Sequence, residues 1–157
     1  MNIPSKEECI SILTNNKTPS NVIEHCKAVC EVAEETADKL IKKGIKINKE
    51  LVSASALLHD IERIKENHIE KGAKLLKSLG FQEVSEVMSK HSLYRPDGIK
   101  TEPITFEEKI VFYADKRVKG TEIVSLQERF DDLEKRYNVQ LGEEFEFTKK
   151  IEAELNG

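Results

Sequence analysis

Apolar residues return along this chain with a helical period. Val22, Cys26, Val29, Ala33, Ala37 and Leu40 share one helix face until Gly44 ends the run, and Thr18 before Pro19 supplies an N-cap and a first helical position. Asn48 caps a second, almost wholly apolar helix carrying Leu51, Val52, Ala54, Leu57, Leu58 and Ile61. Asn67 followed by Glu70 has the spacing of a capping box, and Gly80 closes that third helix. Val84, Val87 and Met88 mark a fourth, which stops before the turn-rich Arg95-Pro96-Asp97-Gly98. Thr105 and Glu108 form another capping-box pair ahead of Phe106, Ile110, Val111, Tyr113 and Ala114. After Gly120, Ser125 and Glu128 restart a helix with Leu126, Phe130, Leu133 and Tyr137. A last helix around residues 143–155 packs Phe145, Phe147 or Ile151 onto the body. No segment alternates as strands do, and no repeat or linker divides the chain. The pattern predicts an all-α fold, a single domain over residues 1–157 with about six to eight helices.

Composition narrows the function classes. At 157 residues, with 38% apolar and 34% charged residues, the chain can bury a core without staples and is too apolar for disorder. A net charge of −4 offers no basic face for general nucleic-acid binding, but a local basic pocket for small anions remains open. The opening MNIPSKEECISILTNN contains acidic residues and no long apolar run, so neither a signal peptide nor a membrane span is expected. The expectation is a cytoplasmic protein with no membrane partner; nothing in the sequence sets an oligomeric state. Three cysteines fit core packing in a reducing compartment, with metal binding by Cys26 and Cys30 as the sharper alternative.

The four histidines carry more information. His25 lies on the apolar side of its helix, His59-Asp60 close the apolar second helix, His68 opens the next, His91 ends the fourth, and Asp115 follows Phe112-Tyr113-Ala114. Each points into the helical body or lies at its rim. Buried ionisable groups need partners, and neutral imidazoles compensate one another poorly. Two carboxylates with several imidazoles around a divalent cation would satisfy all of them.

This order resembles the HD superfamily of metal-dependent phosphohydrolases, and more closely its HDIG-like subgroup, in which extra histidines hold a second metal. The resemblance spans about Val22 to Tyr137 through ALLHDIER, NHIEKGAKLLKSLGF, the SKH triplet and VFYADKRVKG. It implies that His25, His59, Asp60 and Asp115 hold one metal, and that Asp60 bridges to a second completed by His68 and His91. Mixed imidazole and carboxylate ligation suits first-row ions. Iron or manganese is favoured by the resemblance, with zinc, cobalt or nickel possible. Such a pair lowers the pKa of a bridging water and clamps a phosphoryl oxygen. The implied function is hydrolysis of a phosphate ester or anhydride, in a nucleotide or related small phosphorylated metabolite. The alternatives are a di-iron oxygenase on the same scaffold and a non-catalytic nucleotide or metal sensor.

Two features depart from the subgroup. Glu62 and Arg63 stand where many members have Gly and Lys, and the Lys position contacts substrate phosphate. Arg63 can grip phosphate bidentately, and it shares a face with Asp60 if the helix continues through Glu62. The short interval from Asp60 to His68 suggests a compact pocket. Lys116 ranks second to Arg63 for substrate contact and a catalytic role; Lys71, one turn after His68, is a further candidate. The loop at Arg95–Gly98 is placed to line or cover the pocket.

Overall fold

A computed structural model describes residues 1–157. It contains α1 (Lys6–Asn15), α2 (Ser20–Lys42), α3 (Lys49–Leu58), α4 (His68–Ser78), α5 (Gln82–Met88) and α6 (Phe106–Asp115). A hairpin of β1 (Val118–Lys119) and β2 (Glu122–Ile123) follows, then α7 (Leu126–Tyr137) and α8 (Gly142–Asn156). The protein is all-α, as its periodicity predicts, with two-residue strands as its only sheet. No helix is long and apolar enough to cross a membrane.

The near-continuous apolar run of α3 has a structural cause. All eight residues from Leu51 to Leu58 are buried, because α1, α2, α5 and α6 pack around this helix. A helix hydrophobic all round belongs in a core. α2 packs on α3 and α6 through the predicted face, with Val29, Ala33 and Ala37 fully buried. In the C-terminal part Ile151 is buried, Phe147 meets Phe112 edge-to-face at 5.6 Å, and Phe145 lies 5.3 Å from Phe130. These contacts dock α8 as expected.

Several local expectations are corrected. α1 is an unpredicted helix, although Ser5 and Glu8 form a complete capping box at its start. Thr18 does not cap α2. Pro19 takes that position, and the Thr18 hydroxyl instead donates to the Ile61 carbonyl at 3.1 Å. Asn67 makes no capping-box bond; it adopts φ +53°, a left-handed conformation that Asn tolerates. α5 ends at Met88, three residues before His91.

Gly72 allows α4 its close approach. A Cβ there would sit 3.2 Å from Ile61 Cγ2 and 3.0 Å from Met88 Cε. The absent side chain lets α4 press on the turn that carries Asp60, and the start of α4 carries His68.

All three thiols are free and buried, and burial pushes Cys9 and Cys30 up to about 12. Glu34 ties three helices together: it accepts from Ser53 on α3 at 2.6 Å and pairs with Lys6 on α1. Burial opposes its charge, but the bonds from Lys6 and Ser53 prevail and hold its pKa below the usual carboxylate value. A carboxylate depressed in the folded state stabilises above its unfolded pKa of about 4.3, and that stability is lost as pH falls through the folded value. Glu34→Gln should therefore flatten the acid limb of stability against pH, measured by urea unfolding between about pH 5 and 3. Parallel wild-type and variant curves over that range would rule this link out.

Candidate metal centre

Three helix ends bring the ionisable residues together. His59 is the C-cap of α3, Asp115 is the last residue of α6, and His91 follows the end of α5. Helix C-termini carry unpaired carbonyls and a partial negative charge, which favours a cation. His25 comes from the second turn of α2 and His68 from the first residue of α4.

Backbone carbonyls fix three of the imidazoles. The Nδ1 atoms of His59, His91 and His25 lie 2.6, 2.7 and 2.7 Å from the carbonyl oxygens of Ala56, Met88 and Gly120. A carbonyl only accepts, so each Nδ1 must carry the proton and donate. In the neutral ring, Nε2 is then a bare lone pair, the usual arrangement around a metal-ligating histidine.

Those lone pairs converge on carboxylates. His25 Nε2 and His59 Nε2 lie 3.2 and 3.1 Å from Asp115 Oδ1, and 3.7 and 3.4 Å from Asp60 Oδ2. On the other side, His68 Nε2 and His91 Nε2 lie 3.8 and 3.6 Å from Asp60 Oδ1. The two oxygens of Asp60 thus face two separate sets: His25, His59 and Asp115, and then His68 and His91. His59, Asp60, His91 and Asp115 are all buried. Neutral rings facing carboxylates in such a space would set acceptor against acceptor unless a proton or a metal ion lies between them. Burial opposes a charge on His59, but Asp60 and Asp115 outweigh it and raise its pKa; burial and a charged His59 push His91 down to about 4. The hard oxygen and imidazole donors fit a first-row divalent ion. Neither ligand set includes a cysteine, and Cys30 instead donates weakly to the Ser53 carbonyl.

The cluster lies in a cavity of about 710 Å³, within the usual range for a small-molecule site and not the compact pocket expected from the short Asp60–His68 interval. Arg63 lines it, but not along a continued helix: α3 stops at Leu58, and the chain runs on in turns closed by Ile61 N–H to Leu58 O and Arg63 N–H to Asp60 O. The Arg63 guanidinium lies 3.4 Å from His68 Nε2 and donates to the Tyr137 hydroxyl at 3.3 Å. Lys116 also lines the cavity. Its ammonium donates to Asp115 Oδ2 at 3.0 Å and to the His91 carbonyl at 3.4 Å, leaving Asp115 Oδ1 to the imidazoles.

Lys71 is exposed and does not line the cavity, which corrects its place among the substrate contacts. The Arg95–Gly98 loop is likewise absent from this cavity; Arg95 and Pro96 line a separate hollow beside α4. Glu62 turns away from the cavity into the protein. Its carboxylate accepts from Asn16 at 2.6 Å and pairs with Lys65, while Asn16 and Thr18 both donate to the Ile61 carbonyl. Glu62 thus clamps the turn after Asp60 to the α1–α2 connection. Sequence reasoning missed Arg129 and Arg136, which line the cavity from α7, and it treated Tyr137 as core although Tyr137 is half exposed there. The seven-residue spacing of the two arginines, one helix face apart by two turns, was the available signal.

The HD domain family matches residues 22–118, more than half of the chain. The chain belongs to the HD superfamily of metal-dependent phosphohydrolases. This HD domain is 36% identical to an uncharacterized protein of Methanocaldococcus jannaschii, over 92% of this chain and 91% of that protein. It is also similar to tRNA (cytidine(56)-2′-O)-methyltransferases of Picrophilus torridus, at 32% identity over 98% of the chain, and Thermoplasma volcanium, at 31% over 85%. It spans only 47% and 42% of those two proteins. No solved structure matches.

The two faces of Asp60 make metal content the direct test. Loaded with manganese, the HD domain should hold about two ions, His91→Ala about one, and Asp60→Ala fewer than one. Elemental analysis after gel filtration reads this directly. Full metal content in Asp60→Ala would remove the bridge.

Proposed function

We propose that this HD domain hydrolyses a phosphate ester or anhydride of a nucleotide or a related small phosphorylated metabolite, using two divalent ions. One observation carries the reading: Asp60 presents one oxygen to each of two imidazole sets, at the floor of a cavity that also holds a guanidinium and an ammonium. His25, His59, Asp60 and Asp115 would hold one ion; Asp60, His68 and His91 would hold the other. When bound, such ions supply Lewis acidity toward phosphoryl oxygens and make water a competent nucleophile near neutral pH.

The protein's own groups do the rest. The carbonyl bonds at Ala56, Met88 and Gly120 hold the rings in one tautomer and one orientation, so little rearrangement is needed on binding. Arg63 is placed to bind the phosphoryl group. Burial opposes its charge, but Asp60 and Tyr137 outweigh burial and keep the guanidinium protonated. Its planar fork can hold two phosphoryl oxygens and offset charge that develops on them. Lys116 orients Asp115 and adds a second positive charge at the floor. The turn-clamping bonds from Asn16 and Thr18 fix the backbone between Asp60 and Arg63.

A metal-loaded preparation screened against phosphomonoesters, nucleotides and anhydrides should release phosphate without consuming dioxygen. On the best substrate, Arg63→Ala should lower turnover roughly tenfold or more, about 1.4 kcal/mol of transition-state stabilisation, with metal content unchanged. Arg63→Lys should recover much of that loss. Equal turnover in wild type and Arg63→Ala would make Arg63 a bystander and pass phosphate binding to Lys116.

A further inference from the structure

The part of the cavity wall that α7 supplies holds an unanswered charge. Arg129 on α7 is only 9% exposed, yet its guanidinium makes no hydrogen bond within the chain, and its Nε is shielded from solvent without a partner. The nearest carboxylate is Asp132, 3.9 Å from Nη1. Asp132 is already committed, since it accepts from Arg136 at 2.8 Å and faces Lys119 at 3.6 Å. One carboxylate therefore serves three cations. Apart from Asp60 and Asp115, the only acid lining the cavity is Glu24, which pairs with Lys27.

A guanidinium this buried, with donors unmatched, is expensive to keep unless an anion completes it. Arg129, Leu133, Arg136 and Tyr137 recur at helical spacing and line the same cavity, so the two arginines face one space. Tyr137 accepts from Arg63 and so joins this wall to the floor. Arg129 and Arg136 share one carboxylate, and the guanidinium fork matches the geometry of a phosphate that would supply the missing negative charge. At about 710 Å³ the cavity takes a whole small molecule and not a single phosphate group.

We propose that α7 forms a second phosphate subsite, with Arg129 at its centre and Arg136 at its rim, so that the substrate carries two phosphate groups on one small molecule. One phosphate sits at the His/Asp cluster and the other at α7. The assignment of the first phosphate rests on the function proposed above; the α7 subsite does not.

Calorimetric titration of the metal-loaded full chain with inorganic phosphate separates the two. Wild type should bind about two phosphates, and Arg129→Met should lose one of them or bind it at least roughly tenfold more weakly, the size expected for charged hydrogen bonds. Arg129→Met should melt no lower than wild type without phosphate, because it removes an isolated buried charge. Should it fail to fold, Arg136→Met reads the same site from its exposed edge, with a weakening of about threefold or more. A second phosphate that both folded variants bind as wild type does overturns the subsite, as does one that Arg136→Met leaves unchanged where Arg129→Met does not fold. In turnover, adenosine 3′,5′-bisphosphate should show a KM roughly tenfold below that of adenosine 5′-monophosphate, and Arg129→Met should narrow that gap. Arg129-dependent phosphate binding without turnover of any ester would sink the phosphohydrolase reading alone. Turnover with no Arg129-dependent phosphate would sink the subsite alone.

Discussion

A carbonyl oxygen can only accept, and that constraint organises the centre of this protein. Three histidines hydrogen-bond backbone carbonyls through Nδ1, which leaves three Nε2 atoms aimed at two buried carboxylates. Neutral donors of that kind, packed against anions without a cation, would repel one another. The surroundings reinforce the same polarity, because α3, α5 and α6 all direct their C-terminal ends at the cluster. The all-round burial of α3 then matters for chemistry as well as for stability: it fixes the end of the helix from which His59 and Asp60 project.

The turn after Asp60 is held in place by residues outside the cluster. α3 does not extend to Arg63, so the turn could swing. Asn16, Thr18 and Glu62 hold it from behind, and Gly72 lets α4 close on it from the side. Glu62 is therefore a structural residue beside one that lines the cavity. Its neighbour Arg63 faces the cavity while Glu62 faces the core.

Most of the helices and the six residues of the His/Asp cluster were legible in the sequence, for related reasons. Apolar periodicity marks buried faces, and polar groups on those faces need partners, which singles out His25, His59, Asp60, His91 and Asp115. What escaped was local bonding that competes with the usual cap chemistry. Thr18 looks like a helix cap, but its hydroxyl is taken by Ile61, and Asn67 looks like one but turns left-handed. α1 went unread although its Ser5–Glu8 pair was plain, because that segment has little apolar periodicity beyond Cys9, Leu13 and their isoleucines. The α7 wall was overlooked for another reason. Arginine on an amphipathic helix is ordinarily a solvated residue, and only the folded chain shows Arg129 turned inward.

The three carbonyl anchors are not equally secure. Ala56 and Met88 belong to helices in the core, whereas the anchor for His25 is Gly120, at the tip of a two-residue hairpin with φ +63°. Short exposed hairpins open locally far more readily than buried helix ends. An opening there would free the His25 ring to rotate while His59, Asp60 and Asp115 stay in place, so the cluster would have one hinged member among fixed ones. Exchange of an ion held there would then be timed by the breathing of residues 118–123, the hairpin that anchors His25.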